Sequence, residues 1–404
     1  MEKNAEAKLV DRNNVYLTLH MCKQTCMSVN SKILLTISVV VALVVGFSIG
    51  AFVYAPMVAP TTTITPVSAI MDWTIYGEHA PFASAIGNGY YGTQGLSVTL
   101  LPSNGGADAL RKVVAGDAQF GRATVDTVTE AYAQNPNLNV KIILMQEIVT
   151  PESLCYVNGK YSTPSQLDGK KIGVVPGSAQ DAFFNVILST LGINSGSVQR
   201  VDLGFSQLLS GLATSQIDAA NCFYADLPSY NAVASQYHET VSAWPLATFG
   251  YSAIGNAIFT TTQMISQHPD VVRKFVQATL QGEVYAVQNP QSAVNMLATQ
   301  FPTLNATTEL ATWQDYMPFY FNQQVKQNGL GYVTTQDISA DINLTVHTMN
   351  ISSTISPQNI YDGTFLPSQL PTISSSSIPS LPTSIIPVLQ TAQINKPLTQ
   401  GLHP

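Results

Sequence analysis

Two successive rounds of short β-rich runs alternating with helical patterns set the class of fold open to this chain. In the first round "DWTIYG" (72–77), "LSVTLLP" (96–102), "AQFGRA" and "NVKIILMQEI" (139–148) read as strands, with helical runs such as "PFASAIGNGYY" and "GADALRKVVAG" between them. The second round begins at "LDGKKIGVVPG" (167–177) and continues through "SVQRVDL" and "IDAANCF" (217–223), with "QDAFFNVILSTLG" and "FSQLLSGLATS" as its helices. Strands alternating with helices imply βαβ crossovers and mostly parallel sheets, and two rounds imply two α/β units. From "SAIGNAIFTTT" onward the pattern turns mainly helical, and Val272, Val276 and Leu280 fall four apart, as one face of an amphipathic helix requires.

Gly87, Gly89 and Gly92 spell G-x-G-x-x-G, the spacing of a dinucleotide-binding turn. That turn needs a strand before its first glycine and a helix opening at its last. Here a helical run precedes Gly87 and a strand follows Gly92, so the glycines end a helix and no nucleotide cofactor is expected.

The ends of the chain differ from its middle. Residues 33–55 hold no charged side chain, and roughly 20 apolar residues suffice to cross a bilayer as a helix. Lys3, Lys8, Arg12, Lys23 and Lys32 lie upstream and no charge follows until Asp72. The positive-inside rule then predicts a cytoplasmic leader (1–32), a transmembrane anchor (33–55) and an extracytoplasmic remainder. A cleavable signal peptide is the alternative; the long leader favours the anchor. Residues 56–70 read as a Pro/Thr linker and 352–404 as a Ser/Pro-rich tail, disordered or draped over the domain. Asn305, Asn343 and Asn350 open glycosylation triplets.

A net charge of −7 with no Lys/Arg run argues against nucleic acid as a partner. Cys22 and Cys26 lack the second pair that a zinc site needs, and no metal is expected. Neither H-E-x-x-H nor G-x-S-x-G occurs, so nothing points to an enzyme. Cys155 and Cys222 both fall in predicted strands and are expected to be buried thiols; a disulfide would need their Cα atoms within about 7 Å.

The run from Trp73 to Val128 carries "G-Y-x-x-x-x-G-L-x-V" (Gly89, Tyr90, Gly95, Leu96, Val98) and "A-L-x-x-V-x-x-G-x-A-x-F-G" (Ala109 to Gly121). With "TPSQLDGKKIGVVPGSAQD", "LLSGLATSQIDAA" and "HPDVVRKFVQATLQGEVYAVQNPQSAV" it resembles the solute-binding proteins of ABC importers. The resemblance is to the branch for thiamine-pyrimidine precursors, sulfonates, taurine and nitrate (SsuA/THI5-like, NMT1-like). It implies an α/β periplasmic-binding-protein fold of type II, preceded here by the transmembrane helix. Lobe one would be 71–160 with 252–350, and lobe two 165–250. Partners would be a small-molecule solute, an ABC permease and its ATPase, and the membrane through the N-terminal helix. The action would be capture without chemistry. A thiamine-pyrimidine synthase-like enzyme and a structural or sensory surface protein are the rival readings.

Ligands in open α/β sheets bind beyond the carboxyl ends of the strands, so the strand-end loops supply the candidates. Lobe one offers Glu78, His79 and Phe82, then Ser103, Asn104 and Gly105, then Arg122, Thr124 and Asp126. Lobe two offers Gly177, Ser178 and Asp181, then Phe223, Tyr224 and Asp226. Arg122 suits a sulfonate or carboxylate, or an internal partner such as Glu78 or Asp126. Acidic groups outnumber basic ones in these loops, which favours a pyrimidine-like or amine-bearing ligand over a bare oxyanion.

Overall fold

The structure is a computed structural model and describes residues 64–378 except 252, 352 and 353. The apolar run 33–55, the leader and the chain beyond 378 lie outside these residues; among the described helices none is long and apolar enough to cross a membrane.

Two five-stranded sheets divide the chain. In the first, β1 (Thr65–Ile70), α1 (Ala80–Gly87), β2 (Leu96–Leu101), α2 (Gly106–Ala115), β3 (Phe120–Thr124), α3 (Val125–Gln134) and β4 (Val140–Met145) follow in order. The second holds β5 (Glu152–Val157), β6 (Lys171–Val174), α4 (Phe184–Thr190), β7 (Gln199–Asp202), α5 (Phe205–Ala213), β8 (Ala219–Phe223), α6 (Leu227–Ala234) and β9 (Val241–Pro245). The chain then returns to the first sheet as β10 (Asn256–Thr261) and continues through α7 (Pro269–Gln288), α8 (Pro290–Gln300), α9 (Ala306–Tyr316) and α10 (Thr335–Thr348).

The strand orders are β2-β1-β3-β10-β4 and β7-β6-β8-β5-β9. Each sheet is parallel except around the strand that enters it from the other lobe: β5 runs antiparallel to β8 and β9, and β10 to β3 and β4. Two crossings therefore join the lobes, residues 146–151 and 250–255. They are bonded to each other, Thr150 N–H donating to Ala253 O (2.9 Å) and Gly255 N–H to Glu147 O (3.2 Å). Paired crossings of this kind form a hinge between packed bodies.

The first core is apolar and aromatic. Val272, Val276 and Leu280 are buried on α7, which packs across α1, and Phe275 stacks on Phe120 with ring centroids 3.8 Å apart. Lobe two closes over Leu154, Ile172, Phe183 and Ile187, with Trp244 stacked on Tyr156. The G-x-G-x-x-G glycines do end a helix: α1 stops at Gly87, and Gly89 takes the left-handed region (φ +71°), where glycine escapes the Cβ penalty.

Four expectations are corrected. The first strand is Thr65–Ile70, not 72–77, so part of the expected linker 56–70 is a central strand. Pro66 is tolerated because β3 pairs only with Ala69 and Ile70, so on that side Pro66 needs no donor. The expected tail (352–404) packs on lobe one over 354–378: Asp362 N–H donates to Ile142 O (2.9 Å), and Ile360 and Phe365 are buried. This segment covers the free edge of β4, which would otherwise offer unpaired backbone groups. Lobe one therefore runs past 350. Finally, Cys155 and Cys222 are not free thiols; they form a disulfide between β5 and β8, with Cα atoms 5.9 Å apart.

Candidate functional site

The carboxyl ends of both sheets face one another across a small cavity of about 40 Å³. From lobe one Asp72, Trp73 and Tyr76 follow β1, Gly105 and Gly106 open α2, and Thr124 and Asn256 stand at the ends of β3 and β10. From lobe two come Val175, Ser178 and Gln180 after β6, Phe205 and Leu208 on α5, and Asn221, Cys222, Phe223 and Asp226 on and after β8. The lobes are closed on each other here. Trp73 meets Phe205 edge-on with centroids 6.0 Å apart, and Tyr76 of lobe one lies close enough to the Asp226 carboxyl of lobe two to lower it. Gly105 sits at φ +128°, ψ 163°, and a Cβ there would lie 2.4 Å from Gly177 O on the opposite lobe. Only glycine permits both that backbone region and that approach.

Beneath Asp72 lies a buried charge network. Arg122, fully enclosed within β3, donates to Asp72 Oδ1 (2.5 Å), to Glu147 Oε1 and to Gln146 Oε1 (2.9 Å), and stands 3.1 Å from Glu78 Oε1. His79 Nδ1 accepts from Tyr76 N–H (3.3 Å), which leaves Nε2 to donate to Asp72 Oδ1 (3.3 Å). Burial alone would raise the Asp72 carboxyl, but Arg122 and His79 outweigh it and hold it well below the carboxylate range. One guanidinium cannot do the same for every acid around it. Burial therefore wins at Glu78 and Glu147, whose carboxyls are pushed upward. Asp72, Glu78 and His79 have donor atoms close enough to share an ion, but Arg122 already occupies that role as an internal cation.

Two side-chain amides at the cavity wall carry a buried spare acceptor. Asn221 Nδ2 donates to Gln180 O (3.1 Å), and Asn256 Nδ2 donates to Tyr316 Oη (3.1 Å), while the Oδ1 of each is buried without a partner. Asp226 Oδ2 accepts from Phe223 N–H (2.9 Å); burial raises this carboxyl to about 7, against the pull of that bond and of Tyr76. No Lys, Arg or His is among the described residues lining the cavity. The wall thus offers acceptors and aromatic faces, without a cation.

Of the residues nominated from sequence, Gly105, Thr124, Ser178, Phe223 and Asp226 line the cavity. Glu78, His79 and Arg122 belong to the network behind it, and Phe82 is core on α1. Ser103 braces the loop, its hydroxyl donating to Gly105 O (3.0 Å), and Asn104 is exposed with its N–H on Asp108. Asp126 lies at the hinge rather than the cavity. Gly177 and Asp181, with Ser178, border a wider groove of about 490 Å³ beside α2 and α3. Asp181 there pairs with Arg200 (2.6 Å), and Tyr224 packs against Phe319. Asp72, Trp73, Tyr76, Phe205, Asn221 and Asn256 escaped the sequence reading. The first three lie in the run read as the first strand, so the loop was expected after them.

A family model described as "NMT1/THI5 like" matches residues 77–293, more than half of the chain. The chain belongs to the NMT1/THI5-like family. It is 24% identical over 293 residues to the riboflavin-binding protein RibY of Chloroflexus aurantiacus, covering 70% of this chain and 82% of the relative. It is 20% identical over 250 residues to a formylaminopyrimidine-binding protein of Halalkalibacterium halodurans, covering 60% and 74%. A 4-amino-5-hydroxymethyl-2-methylpyrimidine phosphate synthase of Legionella pneumophila is 22% identical over 260 residues, covering 63% and 79%. Among solved structures, the alkanesulfonate-binding protein SsuA of Xanthomonas axonopodis superposes with a TM-score of 0.53 at 14% identity, over 74% of this chain and 99% of that one. The fold is that of the periplasmic binding proteins, with two α/β sheets.

Proposed function

We propose that the chain is the solute-binding component of an ABC importer and that it closes its two lobes around a small nitrogen heterocycle of the pyrimidine type. The observation that carries the ligand class is the cavity wall: its spare polar atoms, Asn221 Oδ1 and Asn256 Oδ1, are acceptors, and no cationic side chain stands among them. A ligand rich in N–H donors satisfies those atoms, and Trp73, Phe205 and Phe223 supply apolar faces for a ring. A sulfonate or nitrate would meet the ionised Asp72 in a lining that offers it no cationic side chain of its own, which is costly in a closed cavity. The names of the pyrimidine-related relatives support the same choice.

Capture without chemistry is supported by the side chains that catalysis would use. Cys222 is tied in the disulfide, the Ser178 hydroxyl donates to Val175 O (2.8 Å), and His79 is locked in the buried network. The disulfide favours an oxidising exterior, in keeping with a bulk held outside the membrane by residues 33–55 and a permease as partner. Asn305 and Asn350 are exposed acceptors for glycosylation; in the third triplet Asn343 is exposed but Thr345 is buried, its hydroxyl on Asp341 O.

Thermal unfolding of the detergent-solubilised full chain against aminopyrimidines, taurine, alkanesulfonates and nitrate tests this. A ligand at 100 times its Kd should stabilise the fold by about 2.7 kcal/mol. Stabilisation by aminopyrimidines that is lost in Asp226→Ala supports the reading. Stabilisation by sulfonates or nitrate alone overturns the ligand class, and none with any compound favours a surface protein that captures no solute.

A further inference from the structure

Behind the cleft, where the two crossings run, three buried carboxyl groups influence one another without a counter-charge. Asp126 stands on α3 and Asp341 on α10, both in lobe one; Glu152 is the first residue of β5, just past the first crossing. Tyr251 enters from the second crossing, and all four side chains are buried. The Asp341 Oδ1 accepts from Ile254 N–H (2.7 Å) on that crossing, and Asp126 Oδ1 accepts from Thr127 N–H (2.6 Å) and the Thr124 hydroxyl. Both oxygens of Glu152, Asp341 Oδ2 and the Tyr251 hydroxyl have no partner.

The charged surroundings are all of one sign. Glu152 faces Asp126 and Asp341, Asp341 faces Asp126, Tyr251 faces all three, and Glu130, one turn along α3, adds a fourth acid beside Asp126. None of the three carboxyls takes part in an ion pair among the described residues. Ionised carboxylates so placed lack solvent and counter-ions, Glu152 lacks any donor as well, and they repel one another across a low-dielectric gap. Protonated, they are neutral groups that pack.

The geometry points to a proton-dependent hinge: closing the lobes takes up protons at Asp126, Glu152 and Asp341, so acid favours the closed form and a neutral medium the open one. Burial is the main cause holding all three above the ordinary carboxylate range in the closed form; the neighbouring acids add to it, against the hydrogen bonds that Asp126 accepts from Thr124 and Thr127 and Asp341 accepts from Ile254. The sign follows from linkage. Groups that titrate higher when closed bind protons on closing, so the closed-to-open ratio falls as pH rises from about 4, by about tenfold per unit for each proton taken up. A solute would be captured from an acidic exterior and released where the proton is lost. The inference rests on the two-lobe closure proposed above, but its test needs no ligand, so failure to bind a solute and failure of the hinge to respond are told apart.

The test is pulsed electron paramagnetic resonance on the full chain in detergent. One spin label goes on each lobe, at exposed Gln134 and Gln236, with Cys22 and Cys26 replaced by Ser. Between pH 3 and 8 the wild type should shift from the short interlobe distance to a longer one. Glu152→Gln, which keeps the shape and cannot ionise, should hold the short distance to higher pH and flatten the slope by about one proton. Asp341→Asn reads the same term should Glu152→Gln not fold. A distance distribution that ignores pH overturns the inference. So does a slope that survives both variants and vanishes in Asp226→Asn, which would place the titration in the cleft.

Discussion

Replacing Glu283 by Gln should make the protein markedly more stable at neutral pH and leave it unchanged in acid. Glu283 is enclosed on α7; its Oε1 accepts from Gln146 Nε2 (2.7 Å), and its Oε2 has no partner. Burial raises its carboxyl from 4.5 to about 8, against the Gln146 bond and the more distant Arg122. Because the folded-state value is raised, the folded chain binds the proton more tightly than the unfolded chain. Stability is therefore intact below about 4.5 and falls as pH rises towards 8, at about 1.4 kcal/mol per unit. By pH 7 the loss is about 3 kcal/mol, and above pH 8 it levels at about 5 kcal/mol. Glutamine keeps the acceptor for Gln146 and never ionises, so the variant escapes this loss. Urea unfolding of the full chain in detergent reads the difference through tryptophan fluorescence; Trp313 reports locally, its indole N–H bonded to Ala286 O on the same helix. Variant and wild type should coincide at pH 4 and separate by about 3 kcal/mol at pH 7. Curves that stay within about 1 kcal/mol of each other throughout would refute the burial argument.

Three further outcomes follow from the same structure. Gly105→Ala should weaken solute binding at least tenfold in calorimetry, since its Cβ meets Gly177 O only when the lobes close; wild-type affinity would contradict the closed cleft described here. Removing the disulfide in Cys155→Ser/Cys222→Ser opens a loop with a sequence separation of 67 and should cost about 4 kcal/mol, with the same drop on reducing the wild type. An unchanged urea midpoint would mean the bond does not form. Arg122→Met strips Asp72 and Glu147 of their cation and should cost about 3–5 kcal/mol at neutral pH. Asp72 is depressed in the folded state, so its share is present above about 4 and fades as pH falls towards 2. The deficit in urea unfolding should accordingly shrink between pH 5 and 2; a constant deficit would show that packing, not charge, was lost.

The architecture was legible because periodicity is local. Each βα run announces itself within a few residues, and the ordered series of runs implied two α/β units with candidate loops at their strand ends. The site was legible only in part. "DWTIYG" has stronger strand-forming residues than "TPVSAI", yet the latter is β1, held between β2 and β3 by pairing partners far along the chain. That one displacement moved the first loop from Asp72–Tyr76 to Glu78–Phe82. Arg122 read equally as a ligand clamp or as the partner of an internal acid such as Glu78; the second is what the structure holds, and its further partners Asp72 and Glu147 come from elements that only the fold brings together. Asn221 fell in a run read as a strand, and Asn256 in a run read as opening a mainly helical stretch though it begins β10; what marks both is an unsatisfied carbonyl, which exists only in three dimensions. The disulfide and the packed segment 354–378 depend on contacts across the fold, to which composition is blind.

The most direct test of the central claim is a calorimetric titration of the full chain with a 4-aminopyrimidine, its 4-dimethylamino counterpart, methanesulfonate and nitrate. Recognition by acceptors predicts that the aminopyrimidine binds and that methylating its amine, which removes both N–H donors, abolishes the heat. Binding of methanesulfonate or nitrate with none of the aminopyrimidine would contradict the account.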